Sequence, residues 1–329
     1  MRRAEAIILR EHGGPEQLKP DWIALPEPGA GELRVRHSAA GVNFHDCYVR
    51  SGLYRTLALP GVPGLEAVGT VEAVGPDEDS LRVGDRIAWI SPLYGGYAAA
   101  RILPAELAIR LPDSLGDAEA AASLMKACTV RMLVRDAHRI EARQTVLVHA
   151  AAGGVGQLLC GWASHLGATV IGTVGSREKA EIATRAGAHH LIFYCEEDVV
   201  SRVGEITGGA GVAAVYDAIG ADTFASSLNC LGLGGTLVSY GQASGPVAPF
   251  TTADLAVRSL KVTRPIIFHF LATREQRDRM VSDVFAAFAT GVVRPIDPLR
   301  LPLAEAAEAH RILEAGQSPG GIVLVPAGD

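Results

Sequence analysis

Between His149 and Gly156 the chain reads His-Ala-Ala-Ala-Gly-Gly-Val-Gly, a turn almost without side chains that joins the apolar run Thr145–Val148 to a helical pattern. Val155, Leu158, Leu159, Trp162 and Leu166 recur at helical spacing behind it, so the turn links a buried strand to a helix. At such a junction Ala152, Gly153, Gly154 and Val155 bring backbone amides toward a pyrophosphate. Gly156 lets helix and strand pack closely, and the helix N-terminus supplies unpaired N–H groups and positive potential. Ala151 replaces the first glycine of the usual G-x-G-x-x-G, so the motif alone also fits a tight turn with no ligand.

Where the ribose is unphosphorylated, an acidic residue is expected about 20 positions past the glycines. Here the second strand ends in Thr173-Val-Gly-Ser-Arg-Glu-Lys179, with no carboxylate at its tip. Ser176, Arg177 and Lys179 offer a hydroxyl and two cations suited to a 2′-phosphate, and Tyr194 ends the third strand at the same corner. NADPH is the expected cofactor. The competing reading makes Ser176 a helix N-cap and the two cations solvated residues of a first turn, with Glu178 masking part of their charge. Capping and phosphate binding are compatible. His149 resembles a base, but its place at a strand end favours a packed residue.

These motifs need a framework. Before residue 120 the apolar runs are short (Ala6–Leu9, Leu33–Ala39, Gly69–Val74, Arg86–Trp89, Tyr97–Leu103) and punctuated by Gly and Pro, which predicts a β-rich domain. Asp117 to about Arg139 is helical. Strands and helices then alternate. The strands are Thr145–Val148, Thr169–Thr173, His190–Phe193, Val212–Tyr216 and Thr236–Ser239; the helices are Val155–Leu166, Arg177–Ala186, Val199–Ile206 and Phe224–Leu231. That alternation predicts a parallel sheet covered on both faces, an α/β fold of Rossmann type. Strand-like Leu260–Thr263, helical Arg274–Ala289 and Leu303–Ala315, and a last apolar run, Ile322–Val325, follow. The sequence does not say which sheet that run joins.

With 329 residues, 48% hydrophobic and 20% charged, the chain is long enough for two ordinary domains. Its net charge of −6 opposes general affinity for nucleic acid or anionic membrane. Five scattered cysteines without C-x-x-C spacing fit a reduced, cytoplasmic setting. Arg2-Arg3 starts no export signal, because Glu5 and Arg10 break the apolar stretch behind it. No stretch approaches a membrane span.

Taken in order, Glu11-His-Gly-Gly-Pro-Glu16, Gly41-Val-Asn-Phe-His-Asp46, Arg50-Ser-Gly-Leu-Tyr54, Pro63-Gly-Leu-Glu-Ala67, Val83-Gly-Asp-Arg86, His149–Gly156, Gly172-Thr-Val-Gly175, Tyr216-Asp-Ala-Ile-Gly220 and Val262-Thr-Arg-Pro265 span nearly the whole chain. In these motifs the chain resembles the medium-chain dehydrogenase/reductase superfamily, and within it the zinc-free quinone oxidoreductases related to zeta-crystallin. The resemblance implies a GroES-like catalytic domain, residues 1–122 with 267–329, and an NADPH-binding Rossmann domain, residues 123–266. Zinc-dependent relatives place ligands where this chain has Asn43, Leu65 and Lys126, and the stretch from Gly84 to Leu111 lacks the cysteines of their structural zinc lobe. No metal is therefore expected, and adjacent His45 and Asp46 do not by themselves converge on an ion.

Negative charge developing on an acceptor oxygen must then be met by hydrogen-bond donors or a cation. The resemblance puts Asn43, Tyr48, Tyr54 and Lys126 beside the nicotinamide. Asn43 would hold a ribose hydroxyl or the nicotinamide end, the tyrosines would flank the acceptor, and Lys126 would bring an ammonium near the place a metal takes in relatives. The plainer reading leaves the tyrosines as cleft wall and Lys126 as a solvated helix residue. Gly220, Tyr240 and Gly241 end later strands at the edge where ligands bind in open α/β sheets, and the resemblance makes them cofactor contacts. Cys47, beside this site in sequence, is a candidate for alkylation by quinones, although nothing in the sequence activates its thiol. The resemblance implies NADPH-dependent reduction of a quinone by a homodimer joined near Leu260–Arg264. The alternatives are reduction of an unsaturated carbonyl, and a non-catalytic NADPH-binding or RNA-contacting protein.

Overall fold

The computed structural model describes residues 2–327. In chain order the elements are β1 (Arg2–Leu9), β2 (Leu18–Leu25), β3 (Glu32–Val42), α1 (Phe44–Ser51), β4 (Glu66–Val74), β5 (Arg86–Ile90), β6 (Ala100–Pro104), β7 (Ile109–Arg110) and α2 (Asp117–Met132). Next come β8 (Thr145–Val148), α3 (Gly154–His165), β9 (Thr169–Val174), α4 (Arg177–Arg185), β10 (His190–Phe193), α5 (Val199–Ile206), β11 (Val212–Asp217), α6 (Phe224–Cys230) and β12 (Leu231–Ser239). The last are α7 (Thr252–Ala256), β13 (Lys261–Thr263), α8 (Ile267–Phe270), α9 (Arg274–Ala289), β14 (Leu299–Pro302), α10 (Ala306–Glu314) and β15 (Ile322–Val325). They fall into two compact units, one of residues 1–125, 272–281 and 295–329, the other of residues 126–271 and 282–294.

The second unit holds a six-stranded sheet in the order β10-β9-β8-β11-β12-β13, parallel throughout. The inner strands β8, β9, β11 and β12 bury most of their residues, as strands covered on both faces must, while the edge strands β10 and β13 bury few; Leu147, Ile171, Ile192, Val215 and Leu237 supply core residues from five of the strands. Strand order reverses between β8 and β11. In doubly wound sheets that switch point is where ligands bind, at the carboxyl ends of the strands. β12 starts earlier than the sequence indicates, at Leu231, because its first half is rich in glycine and hides the apolar pattern.

The first unit is built on a seven-stranded sheet in the order β14-β15-β3-β4-β5-β7, with β6 pairing β3, and a two-stranded sheet of β1 and β2. The last apolar run joins this sheet: β15 lies antiparallel to β3 and parallel to β14. Ile322 and Leu324 thereby enter a core with Leu33, Val35, Trp89, Tyr97 and Leu103. The sequence pattern leaves six of these elements unmarked: β2, α1, β7, α7, α8 and β14. β2 contains Pro20 and Asp21, which read as turn residues; a proline is tolerated there because its pairing is that of an edge. α1 is a short helix whose start is marked by Asn43 and Asp46 and whose end is marked by Gly52 at φ +85°. The helical stretch after Asp117 ends in a π turn, Leu133–Ala137.

Candidate functional site

In the second unit the turn after β8 starts with an L-residue in left-handed backbone, Ala150 at φ +50°. Its carbonyl accepts the Gly153 N–H at 2.9 Å, and a Cβ on Gly156 would lie 2.2 Å from that same oxygen. Only glycine lets α3 approach so closely. Gly153 is the N-cap, with extended backbone and no side-chain cap, and a Cβ there would meet nothing nearer than 3.2 Å. The N–H groups of Gly154, Val155 and Gly156 precede the first intrahelical bond, Gln157 N–H to the Gly153 carbonyl at 2.8 Å. An open turn with uncapped amides, Ala152 buried just ahead of them, fits the pyrophosphate of a dinucleotide.

At the tip of β9, Ser176 caps α4 by accepting the Lys179 N–H at 3.3 Å, so the capping role is present. The Ser176 and Arg177 side chains are exposed, and Lys179 is half-buried. Among the described residues neither cation forms an ion pair, with Glu178 or any other carboxylate; the Arg177 guanidinium lies 5.9 Å from the Phe193 ring. The Tyr194 hydroxyl stands over Gly175, 2.5 Å from where a Cβ would be, at the same exit. Two cations, two hydroxyls and no carboxylate at the strand end suit a 2′-phosphate.

The exits of β11 and β12 converge on Asp217, a buried carboxylate within Tyr216-Asp-Ala-Ile-Gly220 that no spacing in the sequence marks as a site residue. Its Oδ1 accepts the Ile219 N–H at 2.8 Å and the Gly220 N–H at 3.1 Å. Thr223 and Ser227 donate hydroxyls to it at 2.8 Å. The Asp217 carbonyl takes the Tyr240 N–H at 2.9 Å and the Gly241 N–H at 3.4 Å. Gly220 has φ +95°, and a Cβ on Gly241 would meet the Ala218 carbonyl at 2.6 Å, so both glycines are required by close backbone approach. His149 is buried as expected, yet both ring nitrogens are engaged: Nδ1 with Thr173 Oγ1 at 3.1 Å and Nε2 with Ser227 Oγ at 3.0 Å. Burial lowers its pKa, against an opposing pull from Asp217. Arg264, marked in the sequence only within a motif and at the expected dimer edge, donates to Ser239 Oγ at 3.2 Å and places a cation at the end of β13.

In the first unit Asn43 is the N-cap of α1 and is buried. Its amide donates to Glu66 Oε1 at 2.8 Å, and Glu66 also accepts the Met125 N–H, so one Asn43 N–H is committed to fixing the amide plane. Tyr48 and Tyr54 rings meet edge-on, centroids 5.1 Å apart at 64°, and the Tyr54 N–H bonds the Tyr48 carbonyl at 3.0 Å. His45 completes the cluster, 5.2 Å from the Tyr54 ring and 3.3 Å from the Tyr94 hydroxyl. Burial pushes its pKa down to about 4, so its imidazole is neutral at neutral pH. One turn into α1, Asp46 accepts the Asn43 N–H at 2.9 Å and the Tyr97 hydroxyl at 3.1 Å; Tyr97 meets His310 Nε2 at 3.0 Å, and His310 Nδ1 meets Cys47 Sγ at 3.5 Å. Arg50 pairs with Glu314 beside this chain. Cys47 is therefore no exposed nucleophile: it is buried, and burial pushes its thiol pKa well up.

Lys126, at the start of the second unit, is buried within α2 and not a solvated helix lysine. The three positions that bind zinc in metal-dependent relatives do not fit the ion. Leu65 has no donor atom, Lys126 carries an ammonium, and the Asn43 amide is bound to Glu66. Among the described residues no group of three His, Cys, Asp or Glu side chains gathers where a metal could sit.

Residues 29–113 match the family described as alcohol dehydrogenase GroES-like domain, and residues 154–283 the family described as zinc-binding dehydrogenase. The chain is 41% identical over 328 residues to a 2-haloacrylate reductase of a Burkholderia species, covering 98% of each chain. It is 41% identical over 326 residues to a quinone oxidoreductase of Salmonella typhimurium, covering 98% of this chain and all of the relative. The crystal structure of Escherichia coli quinone oxidoreductase complexed with NADPH superposes with a TM-score of 0.94 at 40% identity, over 98% of this chain and 100% of that one. With that likeness running through both units, the chain belongs to the quinone oxidoreductases of the medium-chain dehydrogenase/reductase superfamily.

Proposed function

We propose that the chain is an NADPH:quinone oxidoreductase. The observation that carries the reading is full-length likeness to quinone oxidoreductases, joined to a second-strand tip that offers Ser176, Arg177, Lys179 and Tyr194 and no carboxylate. Bound NADPH supplies a hydride. On this reading residues 123–266 hold the cofactor, and residues 1–122 with 267–329 receive the acceptor. Ala152, Gly153, Gly154, Val155 and Gly156 take the pyrophosphate, and Gly220, Tyr240 and Gly241 line the carboxyl edge. Asn43 keeps a fixed amide for a ribose or nicotinamide group, and the Tyr48–Tyr54 pair presents ring faces and hydroxyls to a planar quinone. Orientation then does most of the work, and solvent supplies protons to the reduced quinone. A homodimer joined through the β13 edge near Leu260–Arg264 and a cytoplasmic setting belong to the same proposal. No helix among the described residues is long and apolar enough to cross a membrane.

Reduction of an unsaturated carbonyl is the second reading, favoured by the 2-haloacrylate reductase relative. It develops enolate charge that must be localised, a task for the buried Lys126 ammonium. Steady-state kinetics with a para-quinone and with 2-chloroacrylate separate the two. Quinone turnover that Lys126→Met leaves nearly unchanged is the expected result. Turnover of the acrylate alone, lost about a hundredfold in Lys126→Met, would establish the second reading instead.

A further inference from the structure

We propose that His149 is a positioning residue for the dinucleotide turn: with Thr173, Ser227 and Asp217 it forms a directed hydrogen-bond chain that holds Ala150 in left-handed backbone and so keeps the turn open for NADPH. The inference rests on the cofactor reading above.

The direction of each bond follows from the chemistry of its ends. Asp217 accepts the Ser227 hydroxyl at 2.8 Å, so Ser227 Oγ must accept at its other contact, and His149 Nε2 carries the hydrogen. Nδ1 is then the bare nitrogen and accepts the Thr173 hydroxyl at 3.1 Å. Thr173 Oγ1 accepts the Ala150 N–H at 3.3 Å, and the Thr173 carbonyl takes the Ala151 N–H at 3.1 Å. Thr173, His149, Ser227 and Asp217 are all buried, so water does not substitute for a missing partner. Lowered basicity of the buried ring keeps it neutral, in the single tautomer the chain needs. The donor order is the reverse of a hydrolytic triad, because serine gives its proton to the carboxylate and has none to lose to histidine. His149 therefore holds and does not react.

What it holds is strained. Left-handed backbone is unfavourable for an L-residue, whose Cβ crowds the carbonyl, and nearly free of cost for glycine. Yet the Ala150 carbonyl is the pivot of the turn, accepting the Gly153 N–H and lying under Gly156. If Ala150 relaxes, that carbonyl swings and the Gly153–Gly156 amides lose their common aim.

NADPH titration of purified variants, each well below its melting temperature, tests this. His149→Leu should bind about tenfold more weakly. His149→Gln, whose amide accepts from Thr173 and donates to Ser227, should stay within about twofold. Adding Ala150→Gly to His149→Leu should recover most of the loss, since glycine takes the left-handed conformation unaided; a purely structural role for His149 would leave that loss in place. Should His149→Leu fail to fold, Thr173→Val removes one hydroxyl at constant shape and carries the same test with the same glycine rescue. Wild-type affinity in the folded chain-breaking variant, or no recovery with Ala150→Gly, overturns the inference. A wild-type chain that fails to bind NADPH overturns the cofactor reading itself, and this inference with it.

Discussion

Each unit contains a buried hydrogen-bond chain that passes through a histidine to an aspartate, and the two are built for different tasks. In the second unit Thr173 and Asp217 at the ends of β9 and β11, His149 just past β8 and Ser227 on α6 form the chain, and the carboxylate collects two backbone N–H groups and two hydroxyls. In the first, Cys47, His310, Tyr97 and Asp46 bring together α1, the segment before β6 and α10, with Cys47 and His310 263 positions apart in sequence. The first chain named holds a local turn; the other fastens the C-terminal segment to the helix that carries Asn43 and Tyr48. The links of the second unit's chain span 10 to 78 positions and those of the first unit's reach 213 and 263, so the first unit's chain must offset somewhat more loop-closure entropy before it returns anything.

Removing the charges breaks the comparison at its strongest point. Asp217→Ala strands two buried N–H groups and two hydroxyls, and should cost about 3–5 kcal/mol in denaturant unfolding. Tyr97→Phe leaves Asp46 without one donor and His310 Nε2 without its acceptor, and should cost about 1–3 kcal/mol. The Tyr97 variant should keep wild-type affinity for NADPH and lose the acceptor side, seen as raised KM for quinone. A Tyr97→Phe variant less stable than Asp217→Ala would show that the long-range chain, not the local one, is the stronger fastening.

Acid sharpens the contrast, because three histidines of the first unit are held neutral by burial: His37 and His45 at about 4, and His310 at about 3 with Arg50 adding to the effect. Each folded value lies below the ordinary histidine value of 6.5, so between the two the unfolded chain binds more protons than the folded one. Stability from these residues is complete above about pH 6.5 and falls as pH drops toward 4, by up to about 1.4 kcal/mol per pH unit for each histidine. Unfolding in urea at several pH values between 7 and 4.5 should show His310→Gln with a slope shallower by about one proton. An unchanged slope would mean that His310 is not neutral in the fold.

Much of this architecture is legible in the sequence, and the illegible parts share a cause. The parallel strands announce themselves as continuous apolar runs, because a sheet covered on both faces needs little else. β2 does not, since a two-stranded edge buries few of its residues and admits Pro20. α1 is too short for helical periodicity, although Asn43, Asp46 and Gly52 mark both its ends. The candidate residues Gly153, Gly154, Gly156, Ser176, Lys179, Tyr48 and Tyr54 stand in motifs, where spacing carries the signal. Asp217 and His149 stand in motifs too, but their partnership is three-dimensional: Thr173 and Ser227 reach His149 from separate elements, and Asp217 joins through Ser227. The link from Tyr97 to His310, 213 residues apart, has no sequence signature at all.

At the second-strand tip the expected effect is smaller. Lys179→Ala should weaken NADPH by about tenfold, near 1.4 kcal/mol, while leaving NADH unchanged, since a charge-assisted phosphate contact is the one interaction that distinguishes the two. Lys179 forms no ion pair among the described residues, so its removal leaves no carboxylate stranded to confuse the reading. Isothermal titration of both cofactors measures it. Equal loss for NADPH and NADH would assign Lys179 to the helix and not to the phosphate.

Cys47, at the far end of the long-range chain, should matter least. Its Sγ lies 3.5 Å from His310 Nδ1, and the ring, donating through Nε2 to Tyr97, presents Nδ1 as an acceptor for the thiol hydrogen. A thiol is a weak donor and a small apolar group, so both what it bonds and what it fills are modest. Cys47→Ser keeps shape and donor, and should change stability by less than about 1 kcal/mol. The same geometry governs reactivity: a buried thiol whose pKa is raised offers almost no thiolate, whereas Cys195 is exposed. Brief treatment with a para-quinone, followed by peptide mapping, should find the adduct on Cys195, with Cys47 labelled only after unfolding. Rapid modification of native Cys47 would show that α1 opens away from α10 in solution, and that the chain from Asp46 to Cys47 is a loose tether.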